Sequence, residues 1–144
     1  LPTVHNYLDL DPTYKEINGY PLLRMTFDFT ESDRKRGKFL NQQTRKILEA
    51  MGATHISDDT NMDHFDMTRY QATHNTGGVI MGADPETSAV NNYLQMWEHD
   101  NVFVVGGSAY AHQSGYNATA TLGALAYRAS EGIIDYSKKG GSLA

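Results

Sequence analysis

The chain has 144 residues, the length of one domain, and 40% of them are hydrophobic while 20% are charged. This composition is typical of a soluble globular chain with its own core, and not of a disordered one. The formal net charge of −5 argues against a nucleic-acid partner. No apolar run approaches the ~20 residues of a membrane-spanning helix, so we expect no membrane-embedded segment. The absence of cysteine excludes disulfides and cysteine-ligated metal sites.

The first thirty residues contain the signals of a hairpin. Residues 4–10 predict a short strand that ends at Asp11–Pro12, and Asn18–Gly19 is a strong turn signal. Apolar and polar residues then alternate over 23–29, which predicts a half-buried strand with one face on a core. Because the connection is short, the two strands are expected to pair antiparallel.

A helix is expected to follow the hairpin. Thr30 is the predicted N-cap, with Asp33 in an imperfect capping box, and Gly52 is the natural residue after its C-terminus. Residues 53–57 are then expected to form another strand. The next stretch, DDTNMDHFD at 58–66, is rich in oxygen ligands but lacks the glycine and glutamate of a calcium-binding EF-hand loop, so a solvated loop is favoured and no metal site is predicted.

The stretch 101–134 organises the second half of the chain. Residues 103–105 are a short apolar run that predicts a buried strand, and Gly106–Gly107 follow at once. A loop of small and polar residues leads to an Ala-rich helix that starts near Asn117. An apolar stripe runs along that helix through Leu122, Leu125, Ala126 and Ala129. A strand, glycine pair, loop and helix often present a ligand at the helix N-terminus.

Short motifs follow one another in a particular order along this half of the chain. They are HNTGG at 74–78, MGADP at 81–85, GGS at 106–108 and GYNAT at 115–119. The run resembles the C-terminal part of the glucose-methanol-choline (GMC) flavoprotein oxidoreductases, and most of all their sugar and sugar-acid dehydrogenase branch, of the type of the gluconate 2-dehydrogenase flavin subunit. The likeness is specific over about 73–134 and looser before it.

The resemblance implies an α+β fold. Residues 1–100 would form part of a substrate domain, an antiparallel sheet backed by helices, and 101–137 a strand, loop and helix that return to an FAD-binding domain, before a tail at 138–144. The family's G-x-G-x-x-G motif for the ADP moiety of FAD does not occur in the sequence. The chain also begins without methionine, so we expect a fragment of a larger protein that binds FAD weakly or not at all and is inactive alone.

The resemblance also implies a reaction, the transfer of hydride from a substrate CH–OH group to flavin N5. His74 would accept the hydroxyl proton, a task that suits histidine because its pKa lies near operating pH. Asn117 would hydrogen-bond the substrate oxygen. The family usually has proline where this chain has Ala118. The residues expected to bind FAD are Gly106, Gly107, Ser108, Asn117, Ala118 and Thr119. Those expected to contact the substrate are His112, Gln113 and Tyr116.

The same resemblance implies partners and a compartment. The partners would be the N-terminal FAD-binding domain of the same parent, a polyol, sugar or sugar-acid substrate and, by analogy, cytochrome c and small subunits. A homo-oligomer is a further option. The parent would be periplasmic, with a cytoplasmic protein as the alternative.

Two other hypotheses remain open on the sequence alone. One is a GMC oxidase that passes electrons to oxygen. The other is a non-catalytic α+β binding or interaction module, in which His74 is a turn residue and Asn117 is only an N-cap. Convergence of the two side chains on one open cleft would favour the enzyme.

Overall fold

The computed structural model describes residues 3–57, 63–68, 74–113 and 115–144. Its elements in chain order are strands β1 (Tyr7–Lys15) and β2 (Pro21–Thr26), helix α1 (Glu31–Ala50), a 3-10 turn (Gly107–Ala109) and helix α2 (Thr119–Lys139). The predicted α+β class is confirmed. Contacts divide the chain into two compact units. We call His5–Gln71 the hairpin–helix unit, and Ala72–Ala144 together with Leu1–Val4 the C-terminal unit.

The hairpin is antiparallel, as predicted, with Tyr7 opposite Thr26. Gly19 lies in the turn with φ +87°, a conformation that glycine adopts without steric cost. β1 is longer than predicted because it does not end at Asp11–Pro12. The pairing is irregular there, and the Asp11 carboxylate accepts the backbone N–H groups of Thr13 and Tyr14 at 2.8 Å. A bulge of this kind accommodates proline, which has no N–H group for the ladder.

The expectation that the second strand is half-buried is wrong within this chain. Every residue of β2 is exposed, including Leu23 and Met25, which lie opposite Leu10 and Leu8 of β1. The alternation of apolar and polar residues predicts a strand whose apolar face packs against another element. No described element of this unit covers that face. The sheet has two strands in the described part of the chain.

Helix α1 begins and ends where the sequence predicts. Thr30 Oγ1 accepts the N–H of Asp33, and the Asp33 carboxylate accepts the N–H of Thr30, both at 3.1 Å, so the capping box is complete. Gly52 follows the helix with φ +82°. The strand expected at 53–57 is absent from these described residues. Ala53 donates its N–H to Leu48 O instead, which closes the helix end.

A carboxylate holds the segment 63–68 to the end of the hairpin. Asp28 accepts the N–H of Phe65 at 2.9 Å and that of Phe29 at 2.8 Å, and its Oδ2 lies 2.8 Å from His64 Nδ1. The hydrogen bond from His64, followed by those two N–H groups, lowers the pKa of Asp28 to about 2. The rings of Phe27, Phe29 and Phe65 pack edge to face beside it.

The C-terminal unit has a small core of its own. Val90, Leu94, Ala109 and Ala129 are buried together. The predicted stripe of α2 is confirmed, because Ala129 is buried and Leu122, Leu125 and Ala126 are half-buried. The buried strand predicted at 103–105 is wrong. Phe103 forms an isolated bridge to Gln95, and 45% of Val105 is exposed.

Two buried amides join the loop at 91–104 to the chain beyond α2. Gln95 Nε2 donates to the carbonyls of Asp100 at 2.7 Å and Gly141 at 2.9 Å. Its Oε1 accepts Asn91 Nδ2 at 3.1 Å and the N–H of Leu143 at 2.8 Å. The predicted tail at 138–144 therefore begins with the last two residues of α2, Lys138 and Lys139. The buried side chain of Gln95 then holds the residues that follow the helix. No helix in the described part of the chain is long and apolar enough to cross a membrane.

Candidate active site

The HNTGG motif lies against the GGS motif. The N–H groups of Gly77, Val79 and Met81 donate to the carbonyls of Gly107, Ser108 and Ala109, at 3.0, 3.0 and 2.9 Å. The segment 77–81 therefore runs along the 3-10 turn. Residues some thirty positions apart in sequence meet here through backbone hydrogen bonds, which fixes the position of the loop that follows His74.

Glycine is required at this contact. A Cβ built on Gly107 would lie 2.9 Å from the backbone oxygen of Asn75, closer than real Cβ atoms approach. Gly106 has φ +132° and open space around it, while Gly77 has φ +88° and Gly78 has φ +98°. Positive φ values of this kind are strained for residues with a side chain. The pairs Gly77–Gly78 and Gly106–Gly107 thus allow the backbone to turn and the two segments to approach each other closely.

Tyr110 joins the 3-10 turn to the start of α2. Its N–H donates to Gly107 O at 3.2 Å, and its hydroxyl donates to Ala118 O at 3.1 Å. The GYNAT motif is therefore linked to the GGS and HNTGG motifs within the C-terminal unit. Tyr110 is not among the residues predicted from the sequence, because a single tyrosine between a glycine turn and a helix carries no signal of its own.

The N-terminus of α2 carries no side-chain cap. Ala118 is the N-cap, with no side-chain hydrogen bond, and the first turn holds no acidic residue. The alternative interpretation of Asn117 as the N-cap is wrong, because the helix begins one residue later. The first N–H groups of α2 lack an internal acceptor, and the helix dipole makes this end partly positive. An anionic group would find donors here.

The predicted catalytic and substrate residues lie mostly at the surface of the unit. His74, Asn117 and His112 are exposed, as is Tyr116 with 84% of its surface accessible, whereas Gln113 is half-buried. Among the expected cofactor contacts, Gly106, Gly107 and Ser108 are half-buried, Ala118 is buried and Thr119 is exposed. The structure brings their three motifs together. The roles assigned to the side chains stay predictions.

The hairpin–helix unit has a recess of its own. An apolar recess lined by Met25, Phe27, Phe65, Asp66 and Met67 contains none of the predicted site residues. The described residues include no group of three or more His, Asp or Glu side chains that would hold a metal ion. Residues 58–62 of the acidic stretch, 70–73 before His74, and Ser114 lie outside the described residues.

Comparison with known proteins identifies the family. Residues 2–126 match the family model of GMC oxidoreductases. The chain therefore belongs to the GMC oxidoreductase family, and the resemblance carried by its motifs is confirmed.

Individual relatives refine the comparison. The chain is 50% identical over 96% of its length to a gluconate 2-dehydrogenase flavoprotein of Pantoea cypripedii. It is 36% identical over 97% to the fructose dehydrogenase large subunit of Gluconobacter japonicus, and 32% identical over 92% to a 2-methyl-1,2-propanediol dehydrogenase of Mycolicibacterium austroafricanum. The chain spans about a quarter of the length of these relatives, with 23%, 24% and 23% of each covered.

Proposed function

We propose that the protein containing this chain is an FAD-dependent dehydrogenase that oxidises the CH–OH group of a polyol, sugar or sugar acid. The observation that carries the proposal is the 50% identity, over nearly the whole chain, to a gluconate 2-dehydrogenase flavoprotein. Two further relatives at 36% and 32% identity are also dehydrogenases, one named for a sugar and one for a diol. A non-catalytic binding module does not explain this set of relatives.

The residues present fit a flavin cofactor. The backbone around Gly106 leaves open space where other residues carry a side chain, and the adjacent N-terminus of α2 has no acidic residue and no side-chain cap. The ribityl and pyrophosphate part of the cofactor would be held by Gly106, Gly107 and Ser108. The edge of its ring would contact Ala118 and Thr119. When bound, the flavin supplies a hydride acceptor that no amino-acid side chain offers.

His74 and Asn117 would handle the substrate hydroxyl. A neutral imidazole nitrogen of His74 takes the hydroxyl proton as the carbon–hydrogen bond breaks, and the Asn117 side-chain N–H donates to the substrate oxygen. What supports the pair is that both are exposed side chains of motifs that meet in one unit. His112, Gln113 and Tyr116, on the loop before Asn117, would contact the rest of the substrate.

The remaining partners are part of the same proposal. The ADP part of FAD would be bound by a preceding domain, which agrees with the chain covering 23% of its gluconate-dehydrogenase relative. By analogy the electrons pass to a cytochrome c with the help of small subunits, in the periplasm.

Variants of the full-length flavoprotein test the proposal. His74→Ala should lower kcat with gluconate and a dye acceptor by about 10²- to 10⁴-fold, because it removes the proton acceptor. Asn117→Ala should lower it by about 10- to 100-fold, because a donor to the reacting oxygen is lost. Flavin absorbance should stay normal in both. Replacing the dye with oxygen distinguishes a dehydrogenase from an oxidase.

A matched control is His99→Ala, which removes an exposed histidine of the same unit. Its turnover should equal that of the parent. Near-normal turnover of His74→Ala with full flavin content would sink the proposed role of His74. A purified full-length protein without flavin absorbance would sink the enzyme hypothesis itself.

A further inference from the structure

The start of α2 is fixed by few interactions within the described chain. Ala118, its N-cap, has φ −85° and ψ −4°, and its carbonyl accepts the helical N–H of Leu122 at 2.9 Å. Its methyl side chain cannot accept a hydrogen bond from the first N–H groups of the helix. The side chain of Asn117, one residue earlier, is exposed and makes no hydrogen bond to another described residue. Its direction therefore depends on the Asn117–Ala118 backbone.

Among the described residues, one side chain from outside the GYNAT motif reaches that backbone. The Tyr110 hydroxyl donates to the Ala118 carbonyl at 3.1 Å, in a half-buried position where water competes weakly. The backbone of Tyr110 is itself held, because its N–H donates to Gly107 O at 3.2 Å. Gly107 O in turn accepts the N–H of Gly77 at 3.0 Å. A continuous chain of hydrogen bonds thus runs from the loop after His74 to the residue after Asn117.

We propose that Tyr110 is a positioning residue that holds the Asn117 backbone in register with the His74 loop. This inference rests on the proposed function, because it assumes that Asn117 contacts the substrate oxygen. Tyr110 touches neither substrate nor flavin in this role. Its hydroxyl keeps the first turn of α2 from fraying, so the Asn117 amide meets the substrate at a constant angle.

The test is a double-mutant cycle in the full-length flavoprotein with Tyr110→Phe, Asn117→Ala and the double variant. Tyr110→Phe should lower kcat by about three- to tenfold, the effect of one neutral hydrogen bond, with KM changed less than about twofold. Flavin absorbance should be unchanged. In the Asn117→Ala background the same change should have no further effect, because the side chain that it positions is gone.

The control is Tyr136→Phe, which removes the hydroxyl of a half-buried tyrosine whose described contact is ring packing on Phe103. It should leave kcat unchanged. Three outcomes overturn the inference: parental kcat in Tyr110→Phe, an equal loss in both backgrounds, or loss of flavin from Tyr110→Phe, which would give the hydroxyl a purely structural role. Failure of the proposed function would give a different result, because Asn117→Ala would then turn over substrate at the parental rate.

Discussion

Asp28 joins separate pieces of the hairpin–helix unit with one carboxylate. It binds His64 Nδ1 and the N–H groups of Phe29 and Phe65, and Arg34 lies 3.4 Å from its Oδ2. In the C-terminal unit the buried amide of Gln95 does the same for the loop at 91–104 and the chain after α2. In both cases a polar side chain holds backbone that belongs to no sheet, which satisfies donors and acceptors that would otherwise require water.

The Asp28 cluster predicts a pH dependence of stability. The pKa of Asp28 in the folded chain, about 2, lies below its ordinary value of 3.8, so the charged carboxylate favours the folded state. This contribution is fully present above about pH 4 and is lost as the pH falls through 2. Asp28→Asn should therefore be less stable than the parent at pH 5 to 7, and the difference should shrink towards pH 2. Urea unfolding at a series of pH values measures it.

A control for this prediction is Glu49→Gln on α1, which removes an exposed ion pair with Arg45. It should change stability by less than about 0.5 kcal/mol at any of these pH values. A constant difference between Asp28→Asn and the parent from pH 7 to pH 2 would contradict the assignment of the cluster to the ionised carboxylate.

At the scale of elements, the site depends on how the 3-10 turn packs on the segment 75–81. The backbones approach closely at Gly107, whose missing Cβ leaves room for Asn75 O. Neither the turn nor the segment is a strand or a long helix. Backbone hydrogen bonds hold the two together, and the absence of a side chain at Gly107 lets their backbones come close. α2 is then connected to the turn through Tyr110.

Gly107→Ala should separate the two pieces. The added methyl would lie 2.9 Å from a backbone oxygen that cannot rotate away, so we expect a loss of about 1–3 kcal/mol in the free energy of unfolding of the C-terminal unit. The matched change Gly123→Ala adds a methyl within α2 where nothing lies within 4 Å, and should stabilise by up to about 1 kcal/mol. Thermal unfolding of the 144-residue chain compares them. Equal midpoints would show that the close approach is relaxed in solution.

At the scale of the whole molecule, the two units differ in how much they bury. All buried residues of the described chain lie in the C-terminal unit, and the described residues of the hairpin–helix unit include none. Leu10, Leu23, Leu40 and Ile47 of the hairpin–helix unit are each more than half exposed. A two-stranded sheet without a covered face is marginally stable in water.

The difference predicts unequal stability when the 144-residue chain is produced alone. Backbone amides of the C-terminal core, such as Met81, Leu94 and Val104, should exchange with solvent deuterium at least about tenfold more slowly than those of β1 and β2. The reason is that opening the hairpin exposes little additional apolar surface. Hydrogen–deuterium exchange measured by mass spectrometry gives both rates in one sample. Equal protection in the two units would show that the hairpin is stabilised without a core.

Local patterns were predictable wherever adjacent residues decide the structure. The Asn18–Gly19 turn, the Thr30 capping box, Gly52 after α1 and the apolar stripe of α2 follow from spacing and backbone preference. The family, and through it the candidate residues His74 and Asn117, followed from the order of motifs. The predictions of strands at 53–57 and 103–105 were wrong, because an apolar run becomes a strand only where the edge of another strand is available to pair with it.

The sequence by itself determined the α+β class, the hairpin turn, both helices and membership in the GMC family, because these depend on neighbours along the chain or on motif order. Only the tertiary structure showed that the HNTGG motif lies on the GGS turn, that Tyr110 reaches Ala118, and that Gln95 holds the chain beyond α2. The first and the last of those contacts join residues far apart in sequence, and the Tyr110 contact crosses the loop between two motifs. They are made by backbone groups and single polar side chains, for which no periodic pattern exists in the sequence.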